Sequence, residues 1–174
     1  DTSGKIRIIS KIENTEGIAK MDEIIEVSDG IMVARGDMGV EVPFKILPKI
    51  QKELIQKCYN KGKIVVTATQ MLDSMQTNPR PTRAEVSDVA NAVYDGTSCV
   101  MLSGETSIGK WPVEVVKTMA KICEDTEANI NYNKNFKNIN FQITNIADAL
   151  SHSSVNAAID LNSKAIVVCT RSGK

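Results

Sequence analysis

The sequence predicts an α/β fold in which crossover helices build a parallel sheet. Three observations carry that expectation. Apolar runs of strand length recur at residues 6–12, 31–34, 64–68 and 99–102. Each run ends in polar residues, and a segment with apolar residues at helical spacing follows each of them. The polar ends therefore share one side of the strands, and strand–loop–helix units repeated with that polarity make a parallel sheet. With 174 residues the chain is long enough for one domain with a real core, or for one domain plus a piece of another.

Residues 6–12 (IRIISKI) form the first strand, which runs out into Lys11, Ile12, Glu13 and Asn14. Side chains two apart on a strand share a face, so Lys11 and Glu13 point the same way. Residues 16–27 carry Ile18, Met21, Ile24 and Ile25 at helical spacing, with Asn14 or Thr15 as the cap. Ser28-Asp29-Gly30 then turns the chain into Ile31-Met32-Val33-Ala34, a buried strand too short for a helix. It feeds a glycine-flanked loop, Arg35-Gly36-Asp37-Met38-Gly39. A carboxylate fixed between two glycines, at a strand end and beside a helix N-terminus, suits a cation or phosphate site. Taken alone, the loop is equally a solvated turn. If the first two strands are neighbours, Lys11, Glu13 and Asp37 gather at one rim, which suits a divalent metal and a phosphorylated substrate. The plain alternative is a structural Lys–Glu pair.

Pro43 opens a short helical turn and Pro48 the main helix, since proline is tolerated at a start but not inside. Ile50, Leu54, Ile55 and Cys58 line its inner face, and Gly62 ends it. The strand Ile64–Ala68 finishes in Thr69-Gln70-Met71. Asn78-Pro79-Arg80-Pro81 is a stiff loop. Thr82-Arg83-Ala84-Glu85 is a capping box launching a helix through Val86, Val89, Ala90 and Val93, closed near Gly96. The strand at 99–102 (CVML) ends in Ser103-Gly104-Glu105-Thr106, and Pro112 starts a helix with Val113, Val116, Ala120 and Cys123 on one face. From about Asn129 to Thr144 asparagines crowd a stretch with little apolar periodicity, which reads as a linker. Thr144 can cap a helix with Ala147, Leu150, Ser154 and Ala158 inward, and a strand follows at 165–170. One helix and one strand cannot form a core, so residues 145–174 read as the start of a second domain.

Composition narrows the partners. Lys+Arg 21 balance Asp+Glu 21, which suggests neither a nucleic-acid tract nor an anionic membrane. No uncharged run approaches the roughly 20 residues of a membrane helix, and the opening DTSGKIRIIS lacks signal-peptide order. Cys58, Cys99, Cys123 and Cys169 are scattered without a CxxC, and His152 is the only histidine, so reduced cytosolic thiols are expected rather than zinc or disulfides. The expected location is the cytoplasm. Residues 104–110 have P-loop spacing, but Trp111 stands where the Ser or Thr for Mg²⁺ belongs. Arg35-Gly36-Asp37 is an adhesion tripeptide at a buried strand end, where coincidence is the better reading. His152, Met71, Met75 and Met119 read as packing residues.

IISKIEN (8–14), GIMVARGDMG (30–39), TATQMLDSM (67–75), NPRPTRAEVSDVANAV (78–93) and MLSGET (101–106) together resemble pyruvate kinase. The resemblance runs from Lys5 to about Glu127 and continues more weakly to Lys174. It implies the last four units of a (β/α)₈ barrel at residues 1–128, a linker at 129–144 and the start of a C-terminal α/β regulatory domain at 145–174. It also implies transfer of a phosphoryl group from phosphoenolpyruvate to ADP, giving pyruvate and ATP, with Mg²⁺ (or Mn²⁺) and usually K⁺, in a homotetramer. Position by position, Glu13 and Asp37 match metal ligands, and Lys11 matches the lysine that neutralises the moving phosphoryl group and the enolate. The amides of Gly36 and Asp37 and the hydroxyl of Thr69 match the cradle for the substrate carboxylate. Ser103 and Glu105 match a polar cluster that helps deliver a proton to enolpyruvate.

The family's remaining phosphate-binding arginine, its K⁺ ligands and its nucleotide-contacting lid belong to the other half of the barrel. The chain alone is therefore expected to be inactive, with open sheet edges that invite self-pairing, or to be a remnant of a longer chain. Residues 170–174 resemble the start of the loop that grips a sugar effector's phosphate in many members. Two other function classes compete: a different Mg²⁺-dependent barrel enzyme acting on phosphoenolpyruvate or pyruvate, and a non-catalytic half-barrel module.

Overall fold

Four parallel strands make one sheet in sequence order: β1 (Ile9–Ile12), β2 (Gly30–Ala34), β3 (Ile64–Ala68) and β4 (Cys99–Val100). The computed structural model describes residues 6–138 and 143–169. The chain divides into two units, Asp1–Ile130 and Asn131–Lys174. Helices α1 (Thr15–Ala19) and α2 (Met21–Val27) join β1 to β2, and α3 (Arg35–Glu41) and α4 (Leu47–Asn60) join β2 to β3. A single long helix, α5 (Arg83–Tyr94), leads to β4, which α6 (Gly104–Ser107) and α7 (Pro112–Ala128) follow. Every pair of neighbouring strands is parallel, with Lys11 opposite Met32 and Ala34 opposite Ala68. That register sets the carboxyl ends of β1, β2 and β3 side by side.

β2 is buried along almost its whole length, as its unbroken apolar run requires. Gly30 is needed there because a Cβ would stand 2.7 Å from the Ile64 carbonyl oxygen of β3. One core packs Ile12, Ile25, Ile31, Val33, Leu54 and Ile55 between the sheet and helices α2 and α4. A second packs Met71, Leu72, Met75, Val89, Val115 and Met119 between the loop after β3 and helices α5 and α7. The three methionines are thus packing residues, as their sequence context suggested. The Lys63 ammonium donates to the carbonyls of Ile25 (2.5 Å), Glu26 (2.7 Å) and Ser28 (2.8 Å), so it satisfies the orphan acceptors at the end of α2.

Several elements differ from expectation. β1 begins at Ile9 rather than Ile6, and Ile6 and Ile8 are exposed. The expected helix at 16–27 is broken at Lys20 into α1 and α2. Asn14, not Thr15, caps α1 by accepting the Gly17 amide at 2.8 Å. The glycine-flanked loop is helical from Arg35, because burial of Met38 and the anchored Arg35 side chain overcome the low helix propensity of its glycines. β4 stops at Val100, although the Met101 amide still bonds the Thr67 carbonyl at 3.0 Å. The buried face of α7 is Val115, Met119 and Thr126, and Val113, Val116 and Ala120 face outward, since contact with α5 sets the face. On α5, Ala92 is buried with Val89 and Val93.

In the second unit, α8 (Tyr132–Asn138) lies within the asparagine-rich stretch, and α9 (Ile146–Asp160) follows. Asn145 caps α9 by accepting the Asp148 amide at 2.9 Å, while the Thr144 hydroxyl donates to the Asp148 carboxylate at 2.6 Å. The cap therefore sits one residue later than expected; His152, Val155, Asn156 and Ile159 are half-buried together with the expected Ala158, whereas Ala147, Leu150 and Ser154 are exposed. The Phe136 and His152 rings lie 5.0 Å apart. Residues 165–169 are in no strand, and the expected continuation at Thr170 and the 170–174 loop lie outside the described residues. No helix among the described residues is long and apolar enough to cross a membrane. All four cysteines are free thiols.

Candidate functional site

At the carboxyl end of β1 the Lys11 ammonium bridges two carboxylates, bonding Asp37 at 2.7 Å and pairing with Glu13. The two-residue strand period puts Lys11 and Glu13 on one face. The parallel register then brings the end of β2, and Asp37 in the first turn of α3, beside them. All three side chains are about half exposed, so the cluster is open to solvent. The hydrogen bond to Asp37, then that to Glu13, raises the Lys11 pKa above 10.5, and Lys11 in turn holds the Asp37 carboxyl below 3.8. Beside them lies a shallow depression lined by Glu13, Asn14, Asp37, Val40 and Glu41. Glu41 accepts the amide and hydroxyl of Thr15 there, at 3.1 and 3.3 Å.

Next to this cluster the Thr69 hydroxyl accepts the Gly36 amide at 2.7 Å and donates to the Ala68 carbonyl at 2.7 Å. A Cβ on Gly36 would stand 3.3 Å from that hydroxyl, so glycine permits the close approach. Lys11, Glu13, Asp37, Gly36 and Thr69 thus form one connected rim. Ser103 and Glu105 form a separate pair. Glu105 is 1% exposed, and its two oxygens accept the Leu72 amide at 3.2 Å and the Ser103 amide at 2.8 Å. This carboxylate ties the loop after β3 to the loop after β4, whereas Lys11 pairs with Glu13 and Asp37.

Sequence reasoning missed Arg35. Its guanidinium is largely buried and bonds the Thr69 carbonyl at 2.7 Å and the Asp88 carboxylate at 2.6 Å. The available signal was a charged residue directly after an uncharged buried strand. The same placement removes the adhesion reading, because Arg35-Gly36-Asp37 opens a helix and is no exposed loop tip. The P-loop spacing likewise leads to a single helical turn, α6, closed by the Gly109 amide on the Gly104 carbonyl at 2.9 Å.

Residues 1–116 match the family model described as the pyruvate kinase barrel domain. The chain belongs to the pyruvate kinase family. The candidate site residues all fall within that match. The chain is similar to the pyruvate kinase of Clostridium acetobutylicum, at 56% identity over 97% of this chain and 36% of that protein. A pyruvate kinase of Staphylococcus epidermidis is 55% identical over 99% of this chain and 30% of its own length. A crystal structure of a pyruvate kinase from Cryptosporidium parvum superposes with a TM-score of 0.87 at 49% identity, covering 90% of this chain and 32% of that one. The α/β fold with its parallel sheet is that of the pyruvate kinase barrel domain. The chain spans about a third of the length of these relatives.

Two exposed carboxylates on one rim are a hard-oxygen donor set, and Mg²⁺ prefers one or two carboxylates completed by water and substrate oxygens. Glu13 and Asp37 fit that requirement. Among the described residues no group of three or more His, Cys, Asp or Glu assembles that could hold a metal alone. Water and substrate oxygens would complete the shell of an ion held by Glu13 and Asp37.

Proposed function

We propose that this chain supplies the last four units of a (β/α)₈ pyruvate kinase barrel and the opening of its C-terminal domain. Within that barrel its rim would serve transfer of a phosphoryl group from phosphoenolpyruvate to ADP. The observation that supports this most is the single ammonium of Lys11 meeting Glu13 and Asp37 from adjacent parallel strands. Phosphoryl transfer asks little covalent work of the protein, so placed charge is what catalysis needs.

In this reading Glu13 and Asp37 hold Mg²⁺ (or Mn²⁺), which supplies charge neutralisation of phosphoryl and enolate oxygens when bound. Lys11 turns its compact charge from the carboxylates to the transferring phosphoryl group. The amides of Gly36 and Asp37 and the Thr69 hydroxyl receive the substrate carboxylate without adding net charge. Because the Gly36 amide donates to the Thr69 hydroxyl in the free protein, the substrate carboxylate replaces that hydroxyl as the amide's acceptor, and Thr69 must release the Ala68 carbonyl. Glu105 fixes the loop that carries the exposed Ser103 hydroxyl, the group we assign to proton delivery. The K⁺ ligands and the nucleotide-contacting lid fall to the other half of the barrel, the full enzyme is a homotetramer, and the location is the cytoplasm.

The test is steady-state turnover in a full-length pyruvate kinase carrying this sequence in its barrel. Turnover of phosphoenolpyruvate and ADP that collapses with Asp37→Ala is expected. Undiminished turnover in that variant would overturn the assignment.

A further inference from the structure

We propose that Arg35, clamped by Asp88, is a positioning residue. It holds Thr69 in the backbone conformation that keeps the Thr69 hydroxyl beside the Gly36 amide, so that both donors can turn to one substrate carboxylate. This rests on the reading of that rim as a phosphoenolpyruvate site.

Thr69 and Gln70 have φ of 68° and 53°, two successive non-glycine residues in the left-handed region. For a β-branched threonine this is an outlier that persists only where the surroundings over-determine it. Arg35 supplies the constraint. Its Nε donates to the carbonyls of Ala68 (3.2 Å) and Thr69 (3.3 Å), and its Nη2 donates to the Thr69 carbonyl at 2.7 Å. The far side of the fork is held in turn. Nη1 donates to Asp88 on α5 at 2.6 Å and to the buried Gln51 on α4 at 3.3 Å.

The chain of contacts is short. Arg35 fixes the Thr69 carbonyl, the carbonyl fixes the turn, and the turn aims a hydroxyl at the amide of the residue next to Arg35 itself. A planar guanidinium spans two carbonyls and a carboxylate at once, which a lysine ammonium cannot do. The Arg35 guanidinium bonds Thr69, and among the described residues it makes no hydrogen bond or ion pair to Lys11, Glu13 or Asp37, so its effect on the substrate runs through Thr69.

The experiment uses the same full-length enzyme and measures KM for phosphoenolpyruvate, KM for ADP and thermal midpoint. Arg35→Met and Arg35→Lys should each raise KM for phosphoenolpyruvate about tenfold or more while KM for ADP stays within about twofold. Asp88→Asn should give a smaller rise in the same direction, and Asp88→Glu should recover part of it. An unchanged KM for phosphoenolpyruvate overturns the proposal, as do both KM values and the thermal midpoint shifting together, which marks a merely structural role. If Arg35→Met does not fold, the same split in Asp88→Asn decides. A parent enzyme that does not turn over phosphoenolpyruvate overturns the underlying reading, whereas an active parent with unaffected Arg35 variants overturns this inference alone.

Discussion

Lys11 owes its partners to two elementary facts, the two-residue period of a strand and the neighbouring position of β2. Lys11→Met in the full-length enzyme should lower kcat about 10²–10³-fold, the usual cost of removing one preorganised charge. Its thermal midpoint should stay within about 3 °C, because exposed ion pairs contribute little to stability. The pH dependence follows from the direction of each shift. Asp37 is held below 3.8, so its share of stabilisation is present above that value and is lost only as pH falls through the lower folded pKa. Lys11 is held above 10.5, so its share is present below that value and is lost only as pH rises through the higher folded pKa. Between the two, Lys11 and Asp37 each keep one charge state, and Mn²⁺ affinity should change less than about threefold from roughly pH 6 to pH 9. Lys11, Glu13 and Asp37 were legible in the sequence because local spacing and strand adjacency decide them. Arg35 was not, because its partners Asp88 and Gln51 are brought to it by helix packing.

Helices were readable where their signals are local and misread where neighbours decide. The capping box of α5 is present in full. The Thr82 hydroxyl accepts the Glu85 amide at 3.2 Å, and the Glu85 carboxylate accepts the Thr82 amide at 2.7 Å. Burial pushes the Glu85 pKa up, but hydrogen bonds from Ser74 and Thr82 more than offset it and leave the group below 4.5. Stability contributed by Glu85 is thus present above its unfolded value and is lost as pH falls through the lower folded one. Thr82→Ala should cost about 1 kcal/mol in denaturant unfolding, as loss of an N-cap does. Leu54→Ala, in the fully buried face of α4, should cost about 2–5 kcal/mol in the same measurement. By contrast, the inward face of α7 and the break at Lys20 depend on what packs against them, and periodicity within one segment carries no such information.

At the scale of the molecule, the order β1-β2-β3-β4 was legible because repeated strand–loop–helix units admit one simple arrangement. The asparagine-rich stretch was harder. Its composition reads as linker, yet it contains α8, and the strand expected at 165–170 has no ladder among the described residues. A strand needs a partner, and no local pattern reveals whether one is there. The outer strands β1 and β4 each have one neighbour among the described residues. In the full barrel we propose, the missing units would cover them. The most direct measurement is a Mn²⁺ titration with oxalate, an enolpyruvate mimic, on the full-length enzyme carrying this sequence, read from the spectrum of free Mn²⁺. Oxalate should tighten Mn²⁺ binding, and Glu13→Ala and Asp37→Ala should each weaken the ternary complex about tenfold or more. Full Mn²⁺–oxalate binding in both folded variants would contradict the claim that these two carboxylates and Lys11 form the metal and substrate site.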